Sequence, residues 1–323
     1  MLTMMRLVLV ISAIMLPLNE YAYAQTGSRG PLTIVVPYPA GGSTDQVARM
    51  LIDGLSSVFG QPVVIDNRGG SGGNIGTAHV AKSAPDGSII LLATNAAMTM
   101  NPFTFKNINF DPVKDFTPIS GVTQGVIGIA VNAVLPIYSV KDLIEYAHKN
   151  PGKVTFGTAG TGSPHHITGE LLNQLGGVKM VHVPYRGGGP MMSDLLGGHI
   201  NAGIIALSAI LPQLDSKKIR LIAIAEKVRF VGAPDTPTVA ETYPGFEVSA
   251  WFGFFGPAGM TPDVVSRLNV GIAKVLNDPE IRKKLEDLAL PPAPGAPQQL
   301  AELVKADLDR WGKLIKSIGL TPE

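Results

Sequence analysis

The feature that most constrains this chain is a short apolar run that ends in prolines and glycines and then opens into a helix. Residues 34–45 read IVVPYPAGGSTD, and apolar positions spaced by four and three follow within residues 47–58, as on one face of a helix. Ser43, with Gln46 three residues later, fits a capping box. A strand, a glycine turn and a helix start bring free backbone N–H groups to the positive end of a dipole. This segment therefore predicts an anion-binding loop.

The same arrangement recurs in the middle of the chain. Residues 154–164 read VTFGTAGTGSP, a β-type run followed by glycines. Ser163 is suited to cap the next helix, and Pro164 is suited to its first position. Two such loops in one chain predict that a small anion is held from two sides.

The N-terminus is typical of a secretory leader. Arg6 precedes an apolar stretch over residues 7–18, and Ala22-Tyr23-Ala24 matches the small-x-small cleavage pattern. The stretch is short for a membrane anchor, so residues 1–24 are expected to be a cleaved signal peptide. The chain has no cysteine, which excludes a lipoprotein anchor, a disulfide and a cysteine nucleophile. We expect a periplasmic protein.

Charge and motif spacing argue against several classes of protein. Lys+Arg 26 nearly balance Asp+Glu 25, whereas nucleic-acid proteins usually carry a concentrated basic surface. The glycine run 69–73 fails the G-x-G-x-x-G spacing, because the sixth position counted from Gly70 is Ile75. The six histidines are scattered, and the sequence displays no activated nucleophile beside a base. We expect no nucleic-acid partner, cofactor, metal site or catalytic residue.

Several short motifs, in order along the chain, resemble those of one family. They are residues 37–42 (PYPAGG) with Asp45, residues 67–76 (NRGGSGGNIG), residues 84–87 (APDG) and residues 183–187 (VPYRG). Together they resemble the Bug-type periplasmic solute receptors of tripartite tricarboxylate transporters. The resemblance covers nearly all of the expected mature chain.

Strand-like and helix-like segments alternate along the chain, which indicates the α/β class. The resemblance adds a two-lobed periplasmic-binding-protein fold of the second topological type, with a mixed, mostly parallel sheet flanked by helices in each lobe. We expect residues 30–124 and 250–323 to form lobe 1 and residues 125–249 to form lobe 2. Hinge strands are expected near 125 and 250.

The resemblance also implies a function. A receptor of this family captures a small organic carboxylate between its lobes and presents the closed form to integral-membrane permease subunits. We expect a monomer that is not an enzyme. A ligand-sensing receptor for a sensor kinase is one alternative, and a periplasmic hydrolase is another.

In the family, backbone amides and ordered waters at two glycine-rich loops bind much of the carboxylate, and the loop after the third strand lines the cleft. The second-lobe wall at residues 205–209 offers no acidic partner for an ammonium group, which favours a ligand without an amine. Asp45 is more typical of a helix start than of a catalytic acid. The ligand-binding residues expected from these arguments are Ala40, Gly41, Gly42, Ser43, Thr44, Asp45, Thr94, Asn95, Gly160, Thr161, Gly162, Ser163, His165, His166, Tyr185 and Ser208.

Overall fold

A computed structural model describes residues 30–319 and Pro322. The expected signal peptide, residues 1–24, lies outside the described residues. The first part of the chain contains β1 (Leu32–Val36), α1 (Ser43–Phe59), β2 (Val63–Asn67), α2 (Asn74–Ala81), β3 (Ile89–Thr94), α3 (Asn101–Thr104) and β4 (Phe116–Gly125).

The middle part contains β5 (Ile127–Asn132), α4 (Val140–Lys149), β6 (Thr155–Thr158), α5 (Pro164–Gly176), β7 (Val181–Pro184), α6 (Gly188–Gly197), β8 (Ala202–Ala206), α7 (Leu207–Ile210) and β9 (Ile219–Ile224). The last part contains β10 (Ala250–Pro257), α8 (Pro262–Leu276), α9 (Pro279–Asp287) and α10 (Pro297–Ser317). No helix in the described part of the chain has both the length and the apolar character needed to cross a bilayer.

The strands form two five-stranded sheets, one in each lobe. Their orders are β2-β1-β3-β10-β4 and β7-β6-β8-β5-β9. In the first sheet β10 runs antiparallel to β3 and β4, and in the second β5 runs antiparallel to β8 and β9. The other four strands of each sheet share one direction, which confirms the predicted α/β class with mixed, mostly parallel sheets.

The chain passes between the two sheets twice. It leaves the first sheet at the end of β4 and enters the second at β5, and it returns between β9 and β10. Each sheet therefore takes its one reversed strand, β5 or β10, from the segment that has just crossed. Because β5 and β10 are antiparallel to their neighbours, neither needs the helical crossover that joins parallel strands.

Apolar periodicity explains the packing of the first lobe. Every residue of β1 except Thr33 is buried, as expected for a strand covered on both faces. Helix α1 buries Val47, Leu51 and Leu55, which share a cluster with Leu268 of α8. This packing fixes the start of α1 at the carboxyl edge of the sheet, where ligands bind in open α/β sheets.

The last helix contacts both lobes. Leu300 and Val304, near its start, pack in a cluster with residues of β1, β3 and β10. Trp311 and Ile315, near its end, are buried in the cluster that contains residues of β5, β6 and β8. Helix α10 therefore lies across the side of the molecule where the chain crosses between the sheets.

Candidate ligand-binding site

The first glycine loop leaves the start of α1 without a side-chain cap. In the described chain, the cap position is Gly42, with φ −75° and ψ 169°, and no side chain bonds to the helix start there. The predicted capping box of Ser43 and Gln46 is therefore wrong, because extended Gly42 occupies the cap position. The side-chain amide of Gln46 donates instead to the Gly41 carbonyl at 3.4 Å. The first three helical amides thus lack an intrahelical acceptor, on a loop that is exposed over residues 39–43.

Asp45 supports this loop from inside the lobe. Its Oδ2 accepts the Gly41 amide and the Arg49 Nε, each at 2.8 Å, and its Oδ1 accepts the Asn67 amide at 3.0 Å. Only 1% of Asp45 is exposed. The hydrogen bond from Arg49 is the largest cause that holds the pKa of this carboxyl below its usual value. The negative charge is therefore matched by a cation, and the loop is not an anionic surface.

The second glycine loop ends in a capped helix. Ser163 Oγ accepts the His166 amide at 3.3 Å and donates to the Gly160 carbonyl at 2.7 Å. Pro164 is the first residue of α5, so the predicted cap and proline position are both confirmed. Thr161 is exposed at the tip of the loop. The Ser163 side chain thus closes the loop on itself.

Gly162 brings this loop against the first lobe. Its φ is +71°, a region that favours glycine, and a Cβ built there would lie 2.9 Å from Thr104 Oγ1 on α3. Thr104 is 5% exposed. The two lobes therefore approach each other at this loop, with no room for a side chain at residue 162.

The loop after β3 is tied to its surroundings. Thr94 Oγ1 lies 2.7 Å from the Tyr38 hydroxyl, which links it to the first glycine loop. Asn95 is 1% exposed, and its side-chain amide donates to the Ser249 carbonyl at 2.8 Å. Asn95 therefore holds the returning crossing segment close to the end of β3.

The remaining predicted residues lie in the second lobe. The Tyr185 hydroxyl donates to Asp194 Oδ2 at 2.6 Å, so this group already has a partner within its own lobe. Ser208 is half-buried on α7. His165 is half-buried beside the loop, and its Nδ1 is buried without a hydrogen-bond partner among the described residues. Burial lowers the pKa of His165 to about 4, so the ring is neutral.

A nucleophile-like backbone occurs at Ser71. Residues 69–73 also spell G-x-S-x-G between β2 and α2, and Ser71 has φ 48°, features shared with the nucleophile elbow of α/β hydrolases. No side chain in residues 30–319 hydrogen-bonds to its hydroxyl, whereas a catalytic serine needs a base within reach. The same residues contain no group of three or more metal-ligating side chains.

Comparison with known proteins places the chain in a family. The family model described as the tripartite tricarboxylate transporter family receptor matches residues 47–320. This chain belongs to that family. Protein BugT of Bordetella pertussis is 34% identical over 298 residues, which cover 92% of this chain and 91% of BugT. The predicted resemblance to Bug-type receptors is confirmed.

Two solved structures of Rhodopseudomonas palustris proteins share the fold. Rpa4515, solved with adipate, has a TM-score of 0.84 and 35% identity, covering 91% of this chain and 98% of its own. MatC, solved with bound malate, has a TM-score of 0.79 and 31% identity, covering 88% of this chain and 98% of its own. The two-lobed fold of this family is therefore the fold of this chain.

The side chains that hold the two glycine loops in place were not predicted from the sequence. Arg49 lies four residues after Asp45, a spacing that brings side chains together on a helix and would have revealed the pair. Asn67 ends β2 next to the end of β1 in the parallel register, but its bond to Asp45 needs the sheet order. Thr104 of α3 lies against Gly162, and His182 of β7 lies within hydrogen-bond distance of Thr158 at the start of the second loop. No sequence pattern indicates either contact.

Proposed function

We propose that this chain is a periplasmic receptor that captures a small organic carboxylate between its two lobes and delivers it to membrane permease subunits. The observation that most supports this is the uncapped start of α1, which presents backbone amides on an exposed loop at the carboxyl edge of the first sheet. The relatives add support, since one was solved with adipate and another with malate.

In this proposal one carboxylate of the ligand meets the two glycine loops. The amides of residues 43–45, Thr161 and Ser163 donate to it, helped by nearby hydroxyls. The Gly41 and Gly162 amides are already bonded, to Asp45 Oδ2 and His166 Nδ1. Thr94, Asn95, His165, Tyr185 and Ser208 line the rest of the ligand's surroundings, and Asp45 acts through the loop. Hydrogen bonds to an ionised group are roughly twice as strong as neutral ones, so backbone donors can hold an anion without a cation.

The electrostatics of the first loop support an anionic ligand. An isolated carboxylate at the start of α1 would repel the ligand, but Arg49 lies 2.8 Å from Asp45 Oδ2. The helix dipole adds partial positive charge at the loop. The loop therefore offers donors and a positive dipole end, with its one carboxylate compensated.

The lobes are proposed to move about the crossing segments. We assign residues 30–124 and 250–323 to lobe 1 and residues 125–249 to lobe 2, with hinge strands near 125 and 250. Closure by hinge bending removes water from the ligand and creates the surface that a permease recognises. We propose a monomeric receptor rather than an enzyme, and a sensor kinase is the alternative recipient of the closed form.

A ligand screen tests the proposal directly. Purified mature protein is heated with a panel of mono- and dicarboxylates that includes adipate and malate. A ligand at one hundred times its dissociation constant stabilises the fold by about 2.7 kcal/mol, which raises the melting temperature measurably. If no organic acid on the panel shifts the melting temperature while the protein unfolds cooperatively, the proposal is contradicted.

The wall at residues 205–209 predicts a ligand without an amine. We expect isothermal titration to show tighter binding of plain carboxylates than of aspartate or glutamate, because an α-ammonium group would be buried without an acidic partner. Tight binding of either amino acid would overturn this preference without touching the proposal that the ligand is a carboxylate.

The Gly162→Ala variant tests the contact between the lobes. The added methyl group lies 2.9 Å from Thr104 Oγ1, so we expect carboxylate affinity measured by titration to fall about tenfold or more, which is 1.4 kcal/mol. Gly177→Ala is the matched control. Gly177 follows the last residue of α5, the helix that begins just after Gly162, and its φ is +62°. A Cβ built on Gly177 meets no atom within 4 Å.

Both variants should lose about 1 kcal/mol of folding stability, because alanine is strained at a positive φ. Only Gly162→Ala should lose ligand affinity. Equal affinities in the two variants would exclude Gly162 from the closed site.

A further inference from the structure

Two stacked imidazoles lie behind the second glycine loop. His166 belongs to the first turn of α5, and His182 belongs to β7. Their ring centroids are 3.8 Å apart with an interplanar angle of 16°. Both rings also lie against Phe156 of β6, with centroid distances of 6.4 Å and 5.1 Å. The stack therefore joins β6 and α5, the two elements that flank the loop, to β7.

Each imidazole holds one part of the loop. The Gly162 amide donates to His166 Nδ1 at 3.1 Å. His182 Nε2 lies 2.7 Å from Thr158 Oγ1, and Thr158 Oγ1 is within hydrogen-bond distance of both the amide and the carbonyl of Gly160. The loop is thus fixed at its start by His182 and near its end by His166.

The bond from Gly162 determines the protonation state of His166. A ring nitrogen that accepts an N–H has no proton of its own, so neutral His166 carries its proton on Nε2. That nitrogen lies 3.6 Å from Glu170 Oε1. A second proton on the ring would sit on Nδ1 and remove the acceptor for the Gly162 amide.

We propose that His166 is a positioning residue for the ligand loop, and that proton uptake at its Nδ1 releases Gly162 and weakens carboxylate binding. The inference rests on the proposed function for its effect on affinity. Only 4% of the surface of His166 is exposed, so water is a poor substitute for the acceptor that the Gly162 amide loses.

The side chains of Glu170, Phe156 and His182 face the His166 ring. Glu170 on the same helix lies 3.6 Å from its Nε2, and Phe156 on β6 is uncharged. His182 on β7 is neutral in the physiological range, since burial and the nearby His166 lower its pKa to about 4. Among these groups, Glu170 is therefore the charged side chain that faces the His166 ring.

The test compares His166→Asn with His166→Leu. The Oδ1 of asparagine occupies a position similar to Nδ1 and can accept the Gly162 amide, but it does not titrate, whereas leucine can do neither. Adipate and malate are the probes, and affinity is measured by titration at about pH 7.5 and about pH 5.5. We expect His166→Asn to stay within about threefold of the unmodified protein at pH 7.5 and His166→Leu to bind about tenfold more weakly, the value of one hydrogen bond.

The pH dependence separates positioning from packing. Protonation of the ligand affects all variants alike, so the ratio of affinities between unmodified protein and His166→Asn isolates the histidine. We expect this ratio to fall about threefold or more between pH 7.5 and pH 5.5, since the protonated ring loses an acceptor. A constant ratio, or an asparagine variant as weak as the leucine variant, would overturn the proposal.

A ligand-free measurement keeps the two proposals distinguishable. Nitrogen-detected NMR of the free protein should show His166 as the Nε2–H tautomer, and the Gly162 amide signal should shift with the same midpoint as the His166 ring on acidification. If this holds and no carboxylate binds, the loop positioning stands and the receptor function fails. If the Gly162 amide signal does not shift as the His166 ring is protonated, His166 does not position the loop, whether or not a carboxylate binds.

Discussion

Asp45→Ala is expected to lower both folding stability and ligand affinity. The substitution leaves the Gly41 amide and the Asn67 side-chain amide without the acceptor that each has in the folded protein. Unpaired buried donors cost about 1–3 kcal/mol each, and partial exposure of the loop reduces the sum. We expect a loss of about 2–3 kcal/mol in the free energy of unfolding and a loss of about tenfold or more in carboxylate affinity.

The pH dependence of this loss has a definite sign. The pKa of Asp45 is lowered in the folded protein, chiefly by its hydrogen bond from Arg49, so its stabilising contribution is present above the ordinary aspartate pKa of about 3.9. That contribution disappears as the pH falls through the folded value. Chemical denaturation should therefore show that the difference between Asp45→Ala and the unmodified protein shrinks in acid.

Asp53→Ala is the matched control, because Asp53 is an exposed carboxylate on the same helix. It should change stability and affinity little. If Asp45→Ala behaves like Asp53→Ala, the carboxylate does not hold the first loop.

The second large effect is expected from Glu226→Gln. Glu226 follows β9, and its Oε1 accepts the amide of Ile127, the first residue of β5, at 2.8 Å. It therefore ties together the two segments that cross between the lobes. Its Oε2 is buried and has no partner among the described residues. Burial, with a smaller contribution from the charge of Glu247, raises the pKa of Glu226 to about 8.

The raised pKa makes the unmodified protein less stable as the pH rises. The folded state keeps a proton that the unfolded state releases above about pH 4.3, so this stabilisation is complete below that pH and is lost as the pH rises toward about 8. A glutamine keeps an acceptor for Ile127 and has no proton to lose. We therefore expect Glu226→Gln to remove a pH dependence of up to about 1.4 kcal/mol per pH unit from the free energy of unfolding.

Denaturant unfolding of both proteins across this pH range measures the slope. Glu226→Gln should be more stable than the unmodified protein at pH 8 and similar to it near pH 4. Glu302→Gln, a change at an exposed position of α10, should leave the slope unchanged. Parallel stability curves for Glu226→Gln and the unmodified protein would show that Glu226 is not buried as a neutral acid.

Local patterns in the sequence predict the two glycine loops and most elements of the fold. Ser163 and Pro164 form a start signal that depends only on neighbouring residues, and the structure confirms it. The cap predicted at Ser43 is wrong because the choice between Ser43 and Gly42 depends on how the chain leaves β1. The reversed directions of β5 and β10 could not be predicted by local pattern, because their partners lie far away in the sequence.

The supporting side chains were the least predictable part of the site. A histidine beside a glycine loop suggests a donor to the ligand, but the structure shows that His166 accepts an amide from its own loop. Glu226 accepts the Ile127 amide between two crossing segments, and its local sequence gives no sign of this contact. Such roles depend on contacts between residues that are far apart in the sequence, and the sequence alone shows only that polar groups are present.

A crystal structure of the protein with the carboxylate that gives the largest thermal shift tests the central claim most directly. We predict carboxylate oxygens within about 3 Å of backbone amides from residues 43–45 of the first lobe and from Thr161 and Ser163 of the second. A ligand bound away from these loops, or held only by side chains of one lobe, would contradict the account.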